Sequence, residues 1–352
     1  MKQRRLVRVL CGFAIGIAVA LAALEGLLRL LPIQDGIHAA DPDDRWPVHH
    51  MDPHADVHWS AGWNLTNPTR SRTNNLGYVA PFDYVSGTRI VAVLGDSYVE
   101  SLMNPYASTL QAQLERLLGG TIPVYNFGIG GSSLADYLGL AHLLKRAFVV
   151  DRLVVVIGEG DFIEGFARQP GHFFWSPDSD GLVESQPEVV RDALKKWLRG
   201  LALFRYVRGN LRLSAKALFK PHPGADASEC VATGLLSGDR ALIRAFVDTL
   251  PNAYGLPPER IVLLFDSESE RRAMYDPNPA RRNVVACPTR DGRALEFLAS
   301  EASRAGLQVA HLSPAFRRHF ATTGERVDHS PDDWHWNAAA HRMAALAAFS
   351  AI

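Results

Sequence analysis

The sequence predicts an α/β protein built on a parallel sheet and preceded by one membrane-spanning helix. Three observations carry this. Short runs rich in β-branched residues, such as "RIVAVL" (89–94) and "RIVLLFD" (260–266), read as strands buried on both faces. Segments with apolar residues at helical spacing separate them, and strands that alternate with helices form parallel sheets. Ahead of both lies the apolar run Val9 to Leu28. About 20 such residues suffice to span a bilayer as a helix.

Taking the elements in order, Lys2, Arg4, Arg5 and Arg8 precede the apolar run. The positive-inside rule then puts the N-terminus in the cytoplasm and everything after about residue 32 outside. Glu25 interrupts the run near its outer end, where an ionisable group reaches the interface. A cleaved signal peptide is the competing reading, with Ala39 and Ala40 as its cleavage residues, but Ile37 or His38 at the −3 position is a mediocre context. Cys11 lies within the apolar run. Cys230 and Cys287 fall outside the membrane, and in an oxidising compartment they are a candidate disulfide, with two separate buried thiols as the alternative.

Residues 33–85 are rich in Pro, Asp, His and Trp and show little periodicity, so they read as a linker and an irregular lead-in. His49, His50, His54 and His58 cluster there with Asp52 and Asp56, but their spacing fits no compact metal-ligand pattern, and a solvated loop is the simpler reading. The domain proper runs over 86–352. After "RIVAVL", Ser108 and Gln111 resemble a capping box, with Leu110, Leu114, Leu117 and Leu118 at helical spacing. "PVYNFGI" and "DRLVVVIG" are the next strands, with a helix over about 133–147 between them. Residues 165–235 break the alternation. The basic amphipathic stretch "KKWLRGLALFRYVRGNLRLSAKALF" reads as a helical insertion packed on the domain, with a substrate lid, a membrane-surface contact or a partner-docking element as other uses. Helices over about 237–250 and 291–305, the strands "RIVLLFD" and "LQVAHL", and a last helix from about 337 complete the chain.

Composition sets bounds on function. Hydrophobic residues make up 47% of the 352, enough for a large core. Lys+Arg and Asp+Glu number 37 each, for a net charge of +0, which argues against a nucleic-acid binder. No residue set points to a metal or an organic cofactor.

Two loops carry chemistry. Ser97 follows the strand "RIVAVL" within "VAVLGDSYVES", and reactive groups of α/β sheets collect at the carboxyl ends of strands. A helix N-terminus there favours a developing negative charge, although Ser97 could equally be a helix cap. Asp96 shapes the turn before it. A serine nucleophile needs a base, and "SPDDWHWNAAAH" (330–341) offers His335 with Asp332 three residues and Asp333 two residues before it. A carboxylate on the second ring nitrogen fixes the tautomer of such a base. His341 reads as packed or exposed on the last helix.

Together these stretches resemble the SGNH (GDSL) hydrolases over roughly residues 74–350. Four blocks match in order: "GDSYVES" at Ser97, "NFGIGGSS" (126–133) with Gly131 as the key glycine, "VVVIGEGDF" (154–162), and "DDWHWN" (332–337). "TNNLGYVAP" before the first strand is similar to the lead-in of extracytoplasmic members. The resemblance implies a single flavodoxin-like three-layer α/β/α domain. It also implies Ser97 as nucleophile, His335 as base oriented by Asp332 in preference to Asp333, and an oxyanion hole from the backbone of Ser97 and Gly131. The third block departs from the family, because Gly160 stands where an Asn donor is expected; losing one such donor costs roughly 100- to 1,000-fold in rate. Glu159 is a poor substitute while ionised. The expected activity is a membrane-anchored extracytoplasmic esterase or acyltransferase acting through an acyl-serine on O-acyl groups, such as acetyl, of an envelope or exported glycan. A lapsed glycan-binding or assembly protein and a lipid or thioester hydrolase are the alternatives.

Overall fold

The elements follow from where apolar residues fall along the chain. The structure, a computed structural model, describes residues 2–37, 40, 46, 48–169, 171–176, 182–184, 193–213, 234–282, 289–331 and 333–352. Cys230, Cys287 and Asp332 lie outside the described residues. Helix α1 spans Lys2–Leu28 without an interrupting proline, and Pro32 follows shortly after. Within it Arg8–Leu28 is long and apolar enough to cross a membrane. An antiparallel hairpin comes next, β1 (Asp56–Ala61) with β2 (Thr66–Arg72), pairing Asp56 with Arg72. It falls in the stretch read from sequence as irregular. Strand β2, "TNPTRSR", has no apolar residue to set an alternation, so its pattern carried no signal.

The central sheet is formed by β3 (Arg89–Leu94), β4 (Val124–Asn126), β5 (Val149–Gly158), β8 (Ile261–Asp266) and β9 (Gln308–His311). A small pair, β6 (Phe173–Trp175) with β7 (Leu182–Glu184), lies outside it. All neighbours in the central sheet are parallel, in the spatial order β4-β3-β5-β8-β9. Counted along the chain, that is 2-1-3-4-5, the flavodoxin-like doubly wound order, in which sites form where the order reverses. Here the reversal lies between β3 and β5.

Helices cover both faces. Besides α1, the described helices are α2 (Ser97–Glu100), α3 (Leu110–Leu117), α4 (Leu134–Ala147), α5 (Asp161–Glu164), α6 (Ala193–Arg199), α7 (Ala202–Arg205), α8 (Ser237–Tyr254), α9 (Glu268–Met274), α10 (Arg290–Arg304), α11 (Ser313–Thr323) and α12 (Ala338–Ala351), of which α7 packs on α1, and α6 on α7, and not on the sheet. Alternate strand residues point to opposite faces. Ile90, Ala92, Leu94, Val155 and Leu263 therefore pack against α4, α8 and α10 through Leu144, Phe246 and Leu298. Val91, Val93, Val154 and Leu264 pack against α3, α11 and α12 through Leu114, Phe316 and Ala344. Each fully buried Val, Leu, Ile or Phe among them contributes about 1.5–3 kcal/mol. Three layers result, α/β/α. The capping box expected at Ser108 does not form. Ser108 ends a short 3-10 turn, and Thr109 is the residue before α3.

Candidate active site

Strand β3 delivers Ser97 to the sheet's carboxyl edge, where it opens α2. The Asp96 carboxylate caps this helix by accepting from the Tyr98 N–H at 2.9 Å. Burial pushes the Asp96 carboxyl up to about 6, against the pull of that hydrogen bond. The glycine loop after β4 must pass close beside α2. A Cβ on Gly128 would lie 2.5 Å from Val99 Cβ and 2.7 Å from the Glu100 nitrogen, so only glycine fits. A Cβ on the next-but-one residue, Gly130, would lie 3.7 Å from Ser97 Cβ. Gly131 turns the chain at φ +85°, which favours glycine. Among the described residues neither the Ser97 N–H nor the Gly131 N–H has a hydrogen-bond acceptor.

His335 arrives from the loop before α12. Its Nε2 lies 2.8 Å from Ser97 Oγ, and its Nδ1 lies 2.5 Å from Asp333 Oδ1. A carboxylate only accepts, so Nδ1 carries the proton and Nε2 is left to accept from the serine hydroxyl. Asp333 Oδ1 also accepts from the His335 backbone N–H at 3.1 Å, which holds both residues in one tight turn. Burial acts to raise the Asp333 carboxyl, but the hydrogen bond and charge of His335 outweigh it and hold it below its ordinary value. The sequence preference was for Asp332. That residue lies outside the described ones, and the carboxylate set against the imidazole is that of Asp333, because a spacing of two lets one oxygen reach both the ring and the backbone nitrogen of His335.

Sequence reasoning missed the residues that hold this loop. Arg271, on α9, is fully buried. Its Nε donates to Asp266 Oδ1 at 3.0 Å, its Nη1 to the Trp334 carbonyl at 2.8 Å, and its Nη2 to the Tyr98 hydroxyl at 2.7 Å. Asp266, at the end of β8, also accepts from Trp336 Nε1 at 2.9 Å. One guanidinium thus ties the neighbour of Ser97 to the neighbour of His335. A signal existed in the sequence: a charged residue ending an apolar strand, with an arginine five positions on.

The rim between β3 and β5 is crowded with carboxyl groups. Burial pushes Glu100 up to about 7, and its Oε2 would lie 3.1 Å from a Cβ on Gly130. Burial and then the charge of Asp96 push Asp161 well up, while the Tyr137 hydroxyl donates to it at 2.8 Å. Glu159 is turned toward β8 and α9, where the hydroxyls of Ser267 and Ser269 both bond to it. Gly160 has ordinary helical backbone at φ −74°, and a Cβ there would meet Glu164 Oε1 at 3.1 Å. The carboxamide of Gln169 comes against the glycine turn, 3.5 Å from where a Gly131 Cβ would sit.

The histidines of the lead-in go elsewhere. His49 stacks on His172, whose Nδ1 lies 3.2 Å from Asp136 Oδ2. Burial and the neighbouring His172 lower His49 to about 4. Among the described residues no group of His, Cys, Asp and Glu is placed to hold a metal. His341, read as packed or exposed, is fully buried and bonded to Ser101.

No protein-family model matches the sequence, and no curated protein does. Solved structures do resemble it. LAE5, an α/β hydrolase enzyme from the metagenome of Lake Arreo, aligns at 14% identity over 76% of this chain and 96% of its own, with a TM-score of 0.40. A lipolytic protein of the G-D-S-L family from Veillonella parvula aligns at 9% over 74% and 97%, TM-score 0.37. A variant of the acetyl xylan esterase Axe2 from Geobacillus stearothermophilus aligns at 15% over 76% and 95%, TM-score 0.38. The 2-1-3-4-5 sheet, with a serine after the first of its parallel strands and a histidine before the last helix, is the arrangement that the resemblance to the SGNH (GDSL) hydrolases implies.

Proposed function

We propose that this protein is a serine esterase or O-acyltransferase that works through an acyl-serine. The observation that carries the proposal is the aligned Ser97–His335–Asp333 chain, with contacts of 2.8 and 2.5 Å. The Ser97 oxygen attacks the ester carbonyl while its proton passes to His335 Nε2, and Asp333 stabilises the imidazolium. The oxyanion is met by the N–H groups of Ser97 and Gly131. Collapse expels the alcohol, which takes the proton from His335 and leaves acyl-Ser97. Water or a sugar hydroxyl then attacks the acyl carbon, with His335 as base again.

The α1 helix and its basic N-terminal flank support an anchor that puts the domain outside the cytoplasm. With the family resemblance, this location points to O-acetyl groups of an envelope or exported glycan. The test is hydrolysis of 4-nitrophenyl acetate and of an O-acetylated polysaccharide. Turnover lost in His335→Ala is expected; equal turnover in that variant would reject the assignment. Turnover of acyl lipids or thioesters in preference to acetyl esters would redirect the substrate class. One observation favours a second reading, a lapsed glycan-binding or assembly protein: Gly160 brings no donor to the oxyanion hole. A folded wild type that turns over no ester but binds the polysaccharide would establish that reading.

A further inference from the structure

The outer end of α1 is built into the domain. Glu25 lies within the apolar span, three residues before its end, yet its carboxylate accepts from the backbone N–H groups of Ala202 and Leu203 at 3.0 and 2.9 Å. It thereby caps α7, and Arg29 Nε donates to it at 2.8 Å. Leu28, Ile33 and Ala202 form a small core with Leu65, Leu203 and Tyr206 around it. Gln34 then bonds through its side chain to the Ser60 carbonyl at 2.9 Å and through its N–H to Asn210 Oδ1 at 3.1 Å. Arg205 pairs with Asp35. The chain that leaves the membrane-spanning segment is fastened to both β1 and the 202–210 segment.

This sets a depth. At 1.5 Å per residue, Glu25 sits about 5 Å below Leu28 along the helix axis. The start of α7 must descend to the last turn of the span to reach it. Elements beside α7 carry large exposed side chains. Trp197, on α6, is 61% exposed, and its carbonyl accepts from Gly200 N–H in the turn leading to α7. Trp63, in the β1–β2 turn, is 74% exposed, and its carbonyl accepts from the Tyr206 hydroxyl at 2.7 Å. Leu30, just past the span, is 83% exposed, and Arg199 and Arg208 are exposed beside them. Tryptophans with an apolar body and a polar edge, mixed with arginines, suit the headgroup region of a bilayer.

We infer that α6, α7 and the β1–β2 turn form a foot that lies in the lipid headgroup layer around the emerging α1, with Trp197 and Trp63 as its interfacial anchors. The occupant of this surface is the lipid bilayer itself, because it is continuous with the apolar span that would be immersed in it. The foot fixes the height and tilt of the domain, so Ser97 and His335 meet substrate at a set distance from the membrane. The inference rests on the reading of α1 as a retained anchor.

The experiment uses the full chain in proteoliposomes containing phosphatidylcholine brominated near the top of its acyl chains. The span holds no tryptophan, so quenching reports on the domain. Part of the fluorescence is expected to be quenched, and Trp63→Phe/Trp197→Phe is expected to lose at least half of that quenchable part. Quenching that is absent, or unchanged in the double variant, overturns the foot and leaves the face to a protein partner. Carbonate extraction separates the two ideas: release of wild-type protein from the membrane would sink the anchor itself, whereas retained protein with unquenched tryptophans would sink only the foot.

Discussion

Two serine–histidine pairs join the same two regions of this chain, and only one of the two has a carboxylate behind its imidazole. Ser97 Oγ and His335 Nε2 lie 2.8 Å apart, and Ser101 Oγ and His341 Nε2 lie 2.9 Å apart. The difference is on the other ring nitrogen. His335 Nδ1 faces the Asp333 carboxylate, so its Nε2 accepts. His341 Nδ1 accepts from the Leu110 N–H at 3.1 Å, so its Nε2 carries the proton and donates to Ser101. The second pair is also sealed: both residues are fully buried, and burial lowers His341 to about 3. A short Ser–His contact is therefore no sign of a nucleophile on its own. The group behind the imidazole decides whether the pair abstracts a proton or tethers the first turn of α3 to α12.

The largest expected effect separates the pairs outright. Ser97→Ala and His335→Ala should each lower kcat for an acetyl ester by about 10⁴-fold or more with little change in melting temperature. Asp333→Asn should follow with a loss of about 10²–10⁴-fold in kcat, because an amide no longer holds Nδ1–H in place. Steady-state kinetics on the purified variant, beside Asp332→Asn, would show which carboxylate matters.

Glu100 lies between the two serines in sequence. Its carboxyl is raised to about 7 in the fold from an ordinary 4.5, so its protonated form stabilises the fold below pH 4.5, and that contribution is lost as pH rises through 7. Glu100→Gln does not titrate. Its stability advantage over wild type should grow from near zero at pH 4.5 to at most about 3 kcal/mol above pH 7, measured by urea denaturation across that range. An advantage at low pH instead would contradict the sign.

Gly160→Asn should restore the expected third oxyanion donor. Its backbone suits any residue, and its nearest obstacle is the flexible end of Glu164. A gain of about 10- to 100-fold in kcat is expected, and an unchanged rate would show that another group already serves. The smallest effect belongs to the buried pair. Ser101→Ala should cost about 1–3 kcal/mol in denaturant stability and leave kcat within a few-fold of wild type.

The centre of the sheet was legible because β3 and β8 are buried on both faces and read as nearly unbroken apolar runs; "RIVAVL" matches β3 residue for residue. Ser97 and His335 were legible because each sits in a short local pattern at an element boundary. The remainder depends on tertiary contact. Whether Asp332 or Asp333 meets the imidazole is a matter of turn geometry. Arg271 acts through partners from three separate segments, Asp266, Tyr98 and Trp334. His341 on an alanine-rich helix gives no hint of being sealed against Ser101. The hairpin at 56–72 escaped notice because β2 is polar throughout.

Intact-mass analysis after reaction with a fluorophosphonate probe, applied to wild type, Ser97→Ala and Ser101→Ala, shows which serine is the nucleophile. One adduct is expected on wild type and on Ser101→Ala, mapped by peptide sequencing to Ser97, and none on Ser97→Ala. An adduct that survives in Ser97→Ala, or a folded wild type that forms none, would contradict Ser97 as the nucleophile.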